Sequence, residues 1–411
     1  MGKSILDEAQ RCLQCKRPLC REGCPISTDV PGMIKLLLEG NIQESGENLF
    51  KNNPLSVVCS LVCHHESQCE GSCILGRKSS PIRIGEIENY ISDFCLDSME
   101  LKPKEKLEGN IGVIGSGPAG ITMAFMLALK GYDITIFEGH DKIGGVLRYG
   151  IPEFRLPNSV IERLKVQLLK LGVKIRPNTM VGTVLTIEEL FRDGYDAVFI
   201  GTGVWKPKKI GIKGESLGNV HYAIDYLKTP EVYDLGNKIC VVGAGNVAMD
   251  VARTALRRGV KEVYIMYRKG FENMSASEQE IHCAKMDGVK FEIYKQPLEF
   301  TKEGVIYINS EKVDNDEEIE PEQELFPCDS IIVAVSQGPR SNIVDTSKGI
   351  ELKNNGLIAA DESGRTTREG VFASGDVVTG AKTVVEAVKY TKDVSDVIHE
   401  YVQNKRRESK S

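Results

Sequence analysis

Two strand–glycine-turn–helix units, about 130 residues apart, constrain this chain more than any other feature. In the first, the apolar run Ile111 to Ile114 leads into Gly115-Ser116-Gly117-Pro118-Ala119-Gly120. An apolar helical stretch follows through Ala128, then a second apolar run, Ile134 to Phe137. In the second, Ile239 to Val242 leads into Gly243-Ala244-Gly245-Asn246-Val247-Ala248, a helical stretch through Leu256, and the run Val263 to Met266. The chemistry of such a turn is specific. Its first glycine permits the tight turn, its second lets backbone approach a pyrophosphate, and its third lets the helix pack closely on the sheet. The helix N-terminus then faces the phosphates. The repeat predicts an α/β chain with two Rossmann-like dinucleotide-binding domains.

The residues closing each unit separate the two ligands. Glu138 ends the second run of the first unit, where a carboxylate accepts hydrogen bonds from ribose hydroxyls. The equivalent position in the second unit is Tyr267, followed by Arg268 and Lys269. Loss of the acid and gain of two cations suits a 2′-phosphate, which predicts NADPH there. A third fragment, Thr366 to Asp376, resembles the motif by which two-dinucleotide flavoproteins hold the FAD ribityl and pyrophosphate through an Asp. Gly201-Thr202-Gly203, after the run Ala197 to Ile200, resembles their other recurring element. These features assign FAD to the first site. The FAD domain is then discontinuous, residues 108–220 and 338–411, interrupted by an NADPH domain over 221–337. The acidic stretch Glu311 to Glu324 reads as a solvated loop.

Residues 1–107 differ in texture. Of 12 cysteines, eight fall in the first 73 residues: Cys12, Cys15, Cys20, Cys24, Cys59, Cys63, Cys69 and Cys73. The first residues carry no apolar signal core, so an exported disulfide framework is not expected and metal binding is. Cys12-x2-Cys15-x4-Cys20-x3-Cys24-Pro25 resembles the bacterial ferredoxin run, whose proline-flanked fourth cysteine ligates a different cluster from the first three. Reciprocal crossing gives one [4Fe-4S] cluster Cys12, Cys15, Cys20 and Cys73. The other takes Cys24, Cys63, Cys69 and one more ligand. Thiolates also suit zinc, but zinc sites usually come as paired CxxC units and only one is present. No cysteine lies between Cys95 and Cys240, so a flavin-coupled CxxC disulfide is absent; Cys240, Cys283 and Cys328 read as small buried hydrophobes.

With these motifs in hand, the chain resembles the small (beta) subunit of glutamate synthase and its relatives. Those include the large subunit of NADH-dependent ferredoxin:NADP oxidoreductase and the N-terminal half of dihydropyrimidine dehydrogenase. The resemblance covers nearly the whole chain. It is carried by Arg11-Cys12-Leu13-Gln14-Cys15, Pro81-Ile82-Arg83-Ile84-Gly85, Gly144 to Pro152, Gly245 to Asp250, and Gly375 to Gly380. It implies a helical domain over 1–107 with two [4Fe-4S] clusters, one completed by a non-cysteine ligand. Glu88 matches that position and is preferred to Cys59. It also implies cofactor contacts at Gly145, Leu147, Arg155, Gly375, Asp376, Lys382 and Thr383. Relatives tend to have paired arginines and Met-Pro-Ala where this chain has Arg268-Lys269 and Met274-Ser275-Ala276. Lys382 stands where relatives often carry a small residue, and is read as stabilising negative charge on the reduced flavin together with the helix dipole.

The expected activity is electron transfer among NADPH, FAD and the two clusters, to or from a partner. That partner is a glutamate synthase large chain, a small flavin and [2Fe-2S] subunit, or ferredoxin. No catalytic acid, base or nucleophile is needed, and none is nominated. Rival readings are the large subunit of an electron-bifurcating ferredoxin:NADP oxidoreductase and a non-catalytic scaffold with structural zinc. The net charge of -6 speaks against nucleic acid, and no apolar run reaches the roughly 18 residues of a membrane helix, so a cytoplasmic protein is expected.

Overall fold

The computed structural model describes residues 4–103, 105–311 and 322–408. It divides into two compact units. The first comprises residues 1–148, 153–204 and 338–411; the second comprises 149–152 and 205–337.

In the first unit, five parallel strands run in the order Val371–Ala373, Ala197–Ile200, Asn110–Ile114, Asp133–Phe137, Lys174–Arg176. The central strands are apolar runs buried on both faces, as a parallel sheet covered by helices requires. Pro118–Lys130 connects the first two strands in sequence and ends on Gly131 in the left-handed region. The 25-residue helix Val384–Glu408 packs on it. The sequence-distant strand Val371–Ala373 joins the sheet edge, so residues beyond 338 complete the domain begun near 108.

The cysteine-rich region belongs to this same unit and is helical: Val30–Leu38, Ile42–Asn52, Ser56–Val62 and Ile84–Leu96 are its main elements. Ile84, Ile87, Ile91 and Cys95 recur at helical spacing and are fully buried. The helices are fixed to the sheet domain by mixed chemistry. Phe50 meets Phe125 edge-on at 5.1 Å, and Gln167 Nε2 donates to the Leu96 carbonyl at 2.7 Å. Arg163 pairs with Asp93 and, at 3.0 Å, with Asp97.

The second unit repeats the plan. Its parallel sheet runs Val220–Tyr222, Ser330–Val333, Lys238–Val242, Glu262–Tyr267, Lys290–Ile293. A three-stranded antiparallel sheet of Lys295–Phe300, Gly304–Asn309 and Gln323–Pro327 accompanies it. Here the structure corrects the solvated-loop reading of Glu311 to Glu324. Gln323 and Glu324 are strand residues paired with Ile308 and Tyr307, and the Tyr307 hydroxyl donates to Glu324 at 2.7 Å. Residues 312–321 lie outside the described residues. Arg253 is held in a mostly buried network, 2.7 Å from Glu280 and 2.8 Å from Asp287, which ties Asn246–Arg257 to Glu278–Met286.

No helix is long and apolar enough to cross a membrane among the described residues.

Candidate functional site

The first glycine turn has the form its sequence predicts. Gly115 sits at φ +91°, and a Cβ there would lie 2.8 Å from the Gly201 carbonyl oxygen. Gly120 has no such strain but less room: a Cβ would lie 1.9 Å from the Gly115 oxygen. Gly117, between them, would meet only the Gly145 Cα at 3.9 Å, leaving its face of the turn open to a ligand. The turn therefore packs through two glycines and presents the third. Ser116, Pro118 and Ala119 complete it, and the helix begins at Pro118 with Gly117 as N-cap, as an anion cradle requires.

The flanking motifs converge on this turn. Gly145, at φ +52°, approaches the Gly117 backbone so closely that its own Cβ would be 2.7 Å from Gly117 Cα. Leu147 is fully buried behind it, while Arg155 is half-buried. Gly375, at φ +77°, lies against Ala119, where a Cβ would be 3.0 Å from the Ala119 side chain. That contact brings Asp376 to the same end of the sheet. Gly201 follows the strand Ala197–Ile200, with its N–H donating to the Ile114 carbonyl; Thr202 and Gly203, the latter at φ +69°, continue that loop. Thus the fragments expected at one nucleotide site meet there, although they span residues 115–376.

Glu138 is buried at the end of Asp133–Phe137. One carboxylate oxygen accepts from the Ser116 N–H at 3.0 Å and from the Ser116 hydroxyl. The other accepts from the His140 N–H at 2.8 Å and lies 3.0 Å from His140 Nδ1. Burial pushes this carboxyl up, but the hydrogen bonds from His140 and Ser116 prevail and hold it below its usual range. Sequence reasoning missed His140, because nothing in the dinucleotide fingerprint marks that position. Asp376 is the opposite case. Burial, only partly offset by the Lys382 N–H, raises it to about 7. Lys382, two residues before the helix Val384–Glu408, directs its ammonium along that helix, 3.5 Å from Glu386 and 3.5 Å from the Tyr390 hydroxyl. Thr383 bonds Glu386 at 2.7 Å, and the helix Val384–Glu408 starts there.

In the second unit Gly243 stands at φ +134°, where a Cβ would meet the Ala334 oxygen at 2.4 Å. Gly245 caps Asn246–Arg257, and Asn246 Oδ1 accepts from the Ser277 N–H at 2.9 Å. Val247 is half-buried and Ala248 fully buried on that helix. Arg268 and Lys269 follow Glu262–Tyr267 and are exposed. Cys240 and Cys328 are buried side by side in this unit's core, whereas Cys283 is half-exposed, so only the first two behave as core hydrophobes.

The cysteines sort by space rather than by sequence. Cys12, Cys15, Cys20 and Cys73 line one largely apolar cavity together with Val30, Ile34, Ile82 and Ile84. Burial, reinforced by Cys15 and Cys73, raises the Cys12 thiol, and burial with Cys73 and Cys12 pushes Cys20 up to about 11. The other group is Cys24, Cys63 and Cys69 with Cys59 and Glu88. Cys63 is raised by a hydrogen bond with the Cys59 thiol, by burial, and by Cys59, Glu88 and Cys69; Cys69 is raised by burial, then by Glu88, Glu70 and Cys24. Glu88 is driven to about 8 by burial. The exchange of Cys24 and Cys73 has a visible cause. Gly23 lies so close to the second loop that a Cβ would be 2.1 Å from Ser72 Oγ and 2.7 Å from the Gln68 oxygen. The two cysteine loops interlock at that point.

Four thiols forced together in an apolar cavity are unfavourable as anions and make few good hydrogen bonds as thiols. A cationic centre removes that conflict, since bound metal takes the deprotonated form. Among the described residues no three such groups converge on a single-ion position.

Comparison with known proteins agrees. A family described as pyridine nucleotide-disulphide oxidoreductase matches residues 109–390, and one described as dihydropyrimidine dehydrogenase domain II, 4Fe-4S cluster, matches residues 2–99. The glutamate synthase [NADPH] small chain of Azospirillum brasilense is 33% identical over 97% of this chain and 89% of its own length. The NAD-dependent dihydropyrimidine dehydrogenase subunit PreT of Escherichia coli K12 is 33% identical over 97% of this chain and 94% of its own. Among solved structures, Mycobacterium tuberculosis FprA in complex with NADPH shares the fold, with a TM-score of 0.60 over 74% of this chain and 86% of that one at 18% identity. The chain is an oxidoreductase belonging to the family of the glutamate synthase small chain, in which an iron–sulfur module precedes a two-dinucleotide flavoprotein.

Proposed function

We propose that this chain carries electrons between NADPH and a second redox subunit by way of FAD and two [4Fe-4S] clusters. The observation that carries the reading is the coexistence, in one compact unit, of the Gly115–Gly120 turn with Glu138 and two interlocked cysteine groups. Bound FAD supplies the exchange between a two-electron hydride and single electrons, which the clusters carry onward. The chain's own residues bind and orient. The N-terminus of Pro118–Lys130 cradles the pyrophosphate, Glu138 accepts from ribose hydroxyls in place of Ser116 or His140, and Asp376 receives the ribityl chain. Cys12, Cys15, Cys20 and Cys73 hold one cluster; Cys24, Cys63, Cys69 and Glu88 hold the other. Glu88 is favoured over Cys59 because its carboxyl is buried beside Cys63 and Cys69, where a cationic centre would offset the cost of ionising it. A partner is implied by the names of the relatives, a small chain and, in Moorella thermoacetica, a formate dehydrogenase subunit beta.

The first test is an anaerobic absorption spectrum with iron and flavin counts, followed by titration with NADPH. The expected result is a brown protein with about eight irons and one FAD per chain, bleached by NADPH. A yellow protein containing zinc and no iron would remove the electron-transfer reading.

Nicotinamide choice rests on the exposed pair Arg268 and Lys269. Replacing both with Ala is expected to raise KM for NADPH about tenfold, the loss of roughly 1.4 kcal/mol of phosphate pairing, while KM for NADH stays within about twofold. Equal effects on both nucleotides would take the 2′-phosphate away from these residues.

Flavin retention has a predicted pH profile. Because Glu138 is held below its usual range, its ionised form contributes fully above the unfolded value of about 4.3 and is lost as pH falls through the folded value. The Glu138 contribution to FAD retention, read as the difference in flavin fluorescence between wild type and Glu138→Gln so that the titration of Asp376 near 7 cancels, is expected to be constant from about pH 8 to about pH 5 and to fall only at more acid pH.

A further inference from the structure

The helix Val384–Glu408 starts beside the Asp376 loop and then runs against the cysteine-rich helices. Eight residues into it, a distance of about 12 Å along the axis, stands Lys392. Its ammonium reaches out of the sheet domain to the end of helix Ile42–Asn52, donating to the Asn52 carbonyl at 2.6 Å and to Asn52 Oδ1 at 2.8 Å. The Asn52 amide in turn donates to the Ile26 carbonyl at 3.3 Å and to Thr28 Oγ1 at 3.4 Å. Thr28 is buried, and its hydroxyl oxygen receives the Cys24 thiol at 3.4 Å. A chain of hydrogen bonds therefore joins a half-buried cation on the flavin-side helix to one cysteine of the second group, and no corresponding chain among the described residues leads from that helix to Cys12, Cys15, Cys20 or Cys73.

We propose that Lys392, acting through Asn52 and Thr28, is a positioning residue that raises the reduction potential of the cluster held by Cys24 relative to the other. The inference rests on the cluster assignment proposed above. The physical reasoning is simple. Reducing a cluster adds one negative charge, and a cation held nearby in a partly desolvated site favours the reduced form. As a cluster ligand Cys24 has no proton to donate, so the Thr28 hydroxyl, which accepts from the Asn52 amide, can turn its own proton to the sulfur, and a hydrogen bond to sulfur stabilises the more electron-rich state. Burial lowers the Lys392 pKa, and the opposing pull comes from Asp393, Cys24 and Asp396. Asp393 and Asp396 are exposed, and Asp396 is already paired with Lys130. They are therefore screened, while the direct contacts of the ammonium, the Asn52 carbonyl and Oδ1, lead toward Cys24.

The test is a potentiometric titration of the full-length, cluster-loaded protein followed by electron paramagnetic resonance, with wild type, Lys392→Met and Lys392→Arg. Methionine keeps the packed stem and removes the charge; arginine keeps the charge. In Lys392→Met one cluster should become harder to reduce by about tenfold in its reduced-to-oxidised ratio at fixed potential, which is 59 mV for a single electron. The other cluster should not move, and Lys392→Arg should retain most of the wild-type value. The same shift should persist in a Cys20→Ala background, where only the Cys24 cluster is left. Unchanged midpoints with iron retained, equal shifts of both clusters, or loss of iron from Lys392→Met would each overturn the proposal. A wild-type protein lacking both cluster signals would instead remove the assignment on which it stands.

Discussion

Replacing Cys20 with Ala should halve the iron of this protein, and replacing Cys73 as well should remove no more. The expectation follows from the interlocked loops. Cys20 and Cys73 are 53 residues apart in sequence yet line one cavity with Cys12 and Cys15. Each variant should drop from about eight irons to about four, and the double variant should stay at about four. Adding Cys24→Ala to Cys20→Ala should remove the remainder, although Cys24 follows Cys20 by only four residues. A chain whose clusters followed sequence neighbourhood would reverse this pattern: Cys20 and Cys24 would report on one cluster, and Cys20 with Cys73 would empty both. Iron analysis of these four purified variants, with the resonance spectrum of the surviving cluster, decides between the two arrangements. Gly23→Ala offers an independent check. Its Cβ would lie 2.7 Å from the Gln68 backbone oxygen and 2.8 Å from Ser72 Cβ as well as against the Ser72 hydroxyl, so the loops must part. Both cluster signals are then expected to broaden or disappear although no ligand has been touched.

How much of this was readable beforehand depends on the range of the interaction. The two glycine turns are local devices; spacing and flanking apolar runs suffice to place Gly115, Gly120 and Gly243, and the structure gives each the close contact expected of it. The approach of Thr366 to Asp376 to the first turn was anticipated only through its resemblance to a flavoprotein motif; in the structure Gly375 lies against the small side chain of Ala119. What sequence could not give was the state of the polar groups once gathered. Glu138 reads as a free ribose acceptor, yet both of its oxygens are engaged by Ser116 and His140, partners 22 residues behind and two ahead. Lys382 reads as a cation for the flavin, yet its ammonium turns toward Glu386 and Tyr390 on the helix that follows it. The Gln323 and Glu324 pairing escaped notice because an acidic run hides the period-two signal of a short strand. The Lys392–Asn52 contact bridges 340 residues and has no motif at all.

Gly117→Ala and Gly120→Ala, three residues apart in one turn, should fail for opposite reasons. At Gly120 the added carbon would lie 1.9 Å from a backbone oxygen and 3.4 Å from Val113, in a fully packed region that cannot yield without moving the turn. The cost is about 3 kcal/mol, and the ligand-free protein should melt earlier as well as lose FAD. At Gly117 the backbone is extended, with φ −73° and ψ −169°, which any residue adopts, and the carbon would meet only Gly145 Cα at 3.9 Å. The ligand-free fold should therefore be unharmed, or more stable by about 0.5 kcal/mol through the reduced freedom of its unfolded chain. The methyl group would instead occupy the space the pyrophosphate needs, and FAD affinity should fall by at least about tenfold, or 1.4 kcal/mol. Thermal unfolding of the flavin-free variants and titration with FAD separate the two effects. If Gly117→Ala bound FAD as tightly as wild type, the open face of this turn would not be where the dinucleotide sits. If Gly120→Ala kept its melting temperature, the close approach of helix and turn would not be what holds the site in shape. The two glycines divide the motif between a residue that builds the cradle and one that leaves it empty for the ligand.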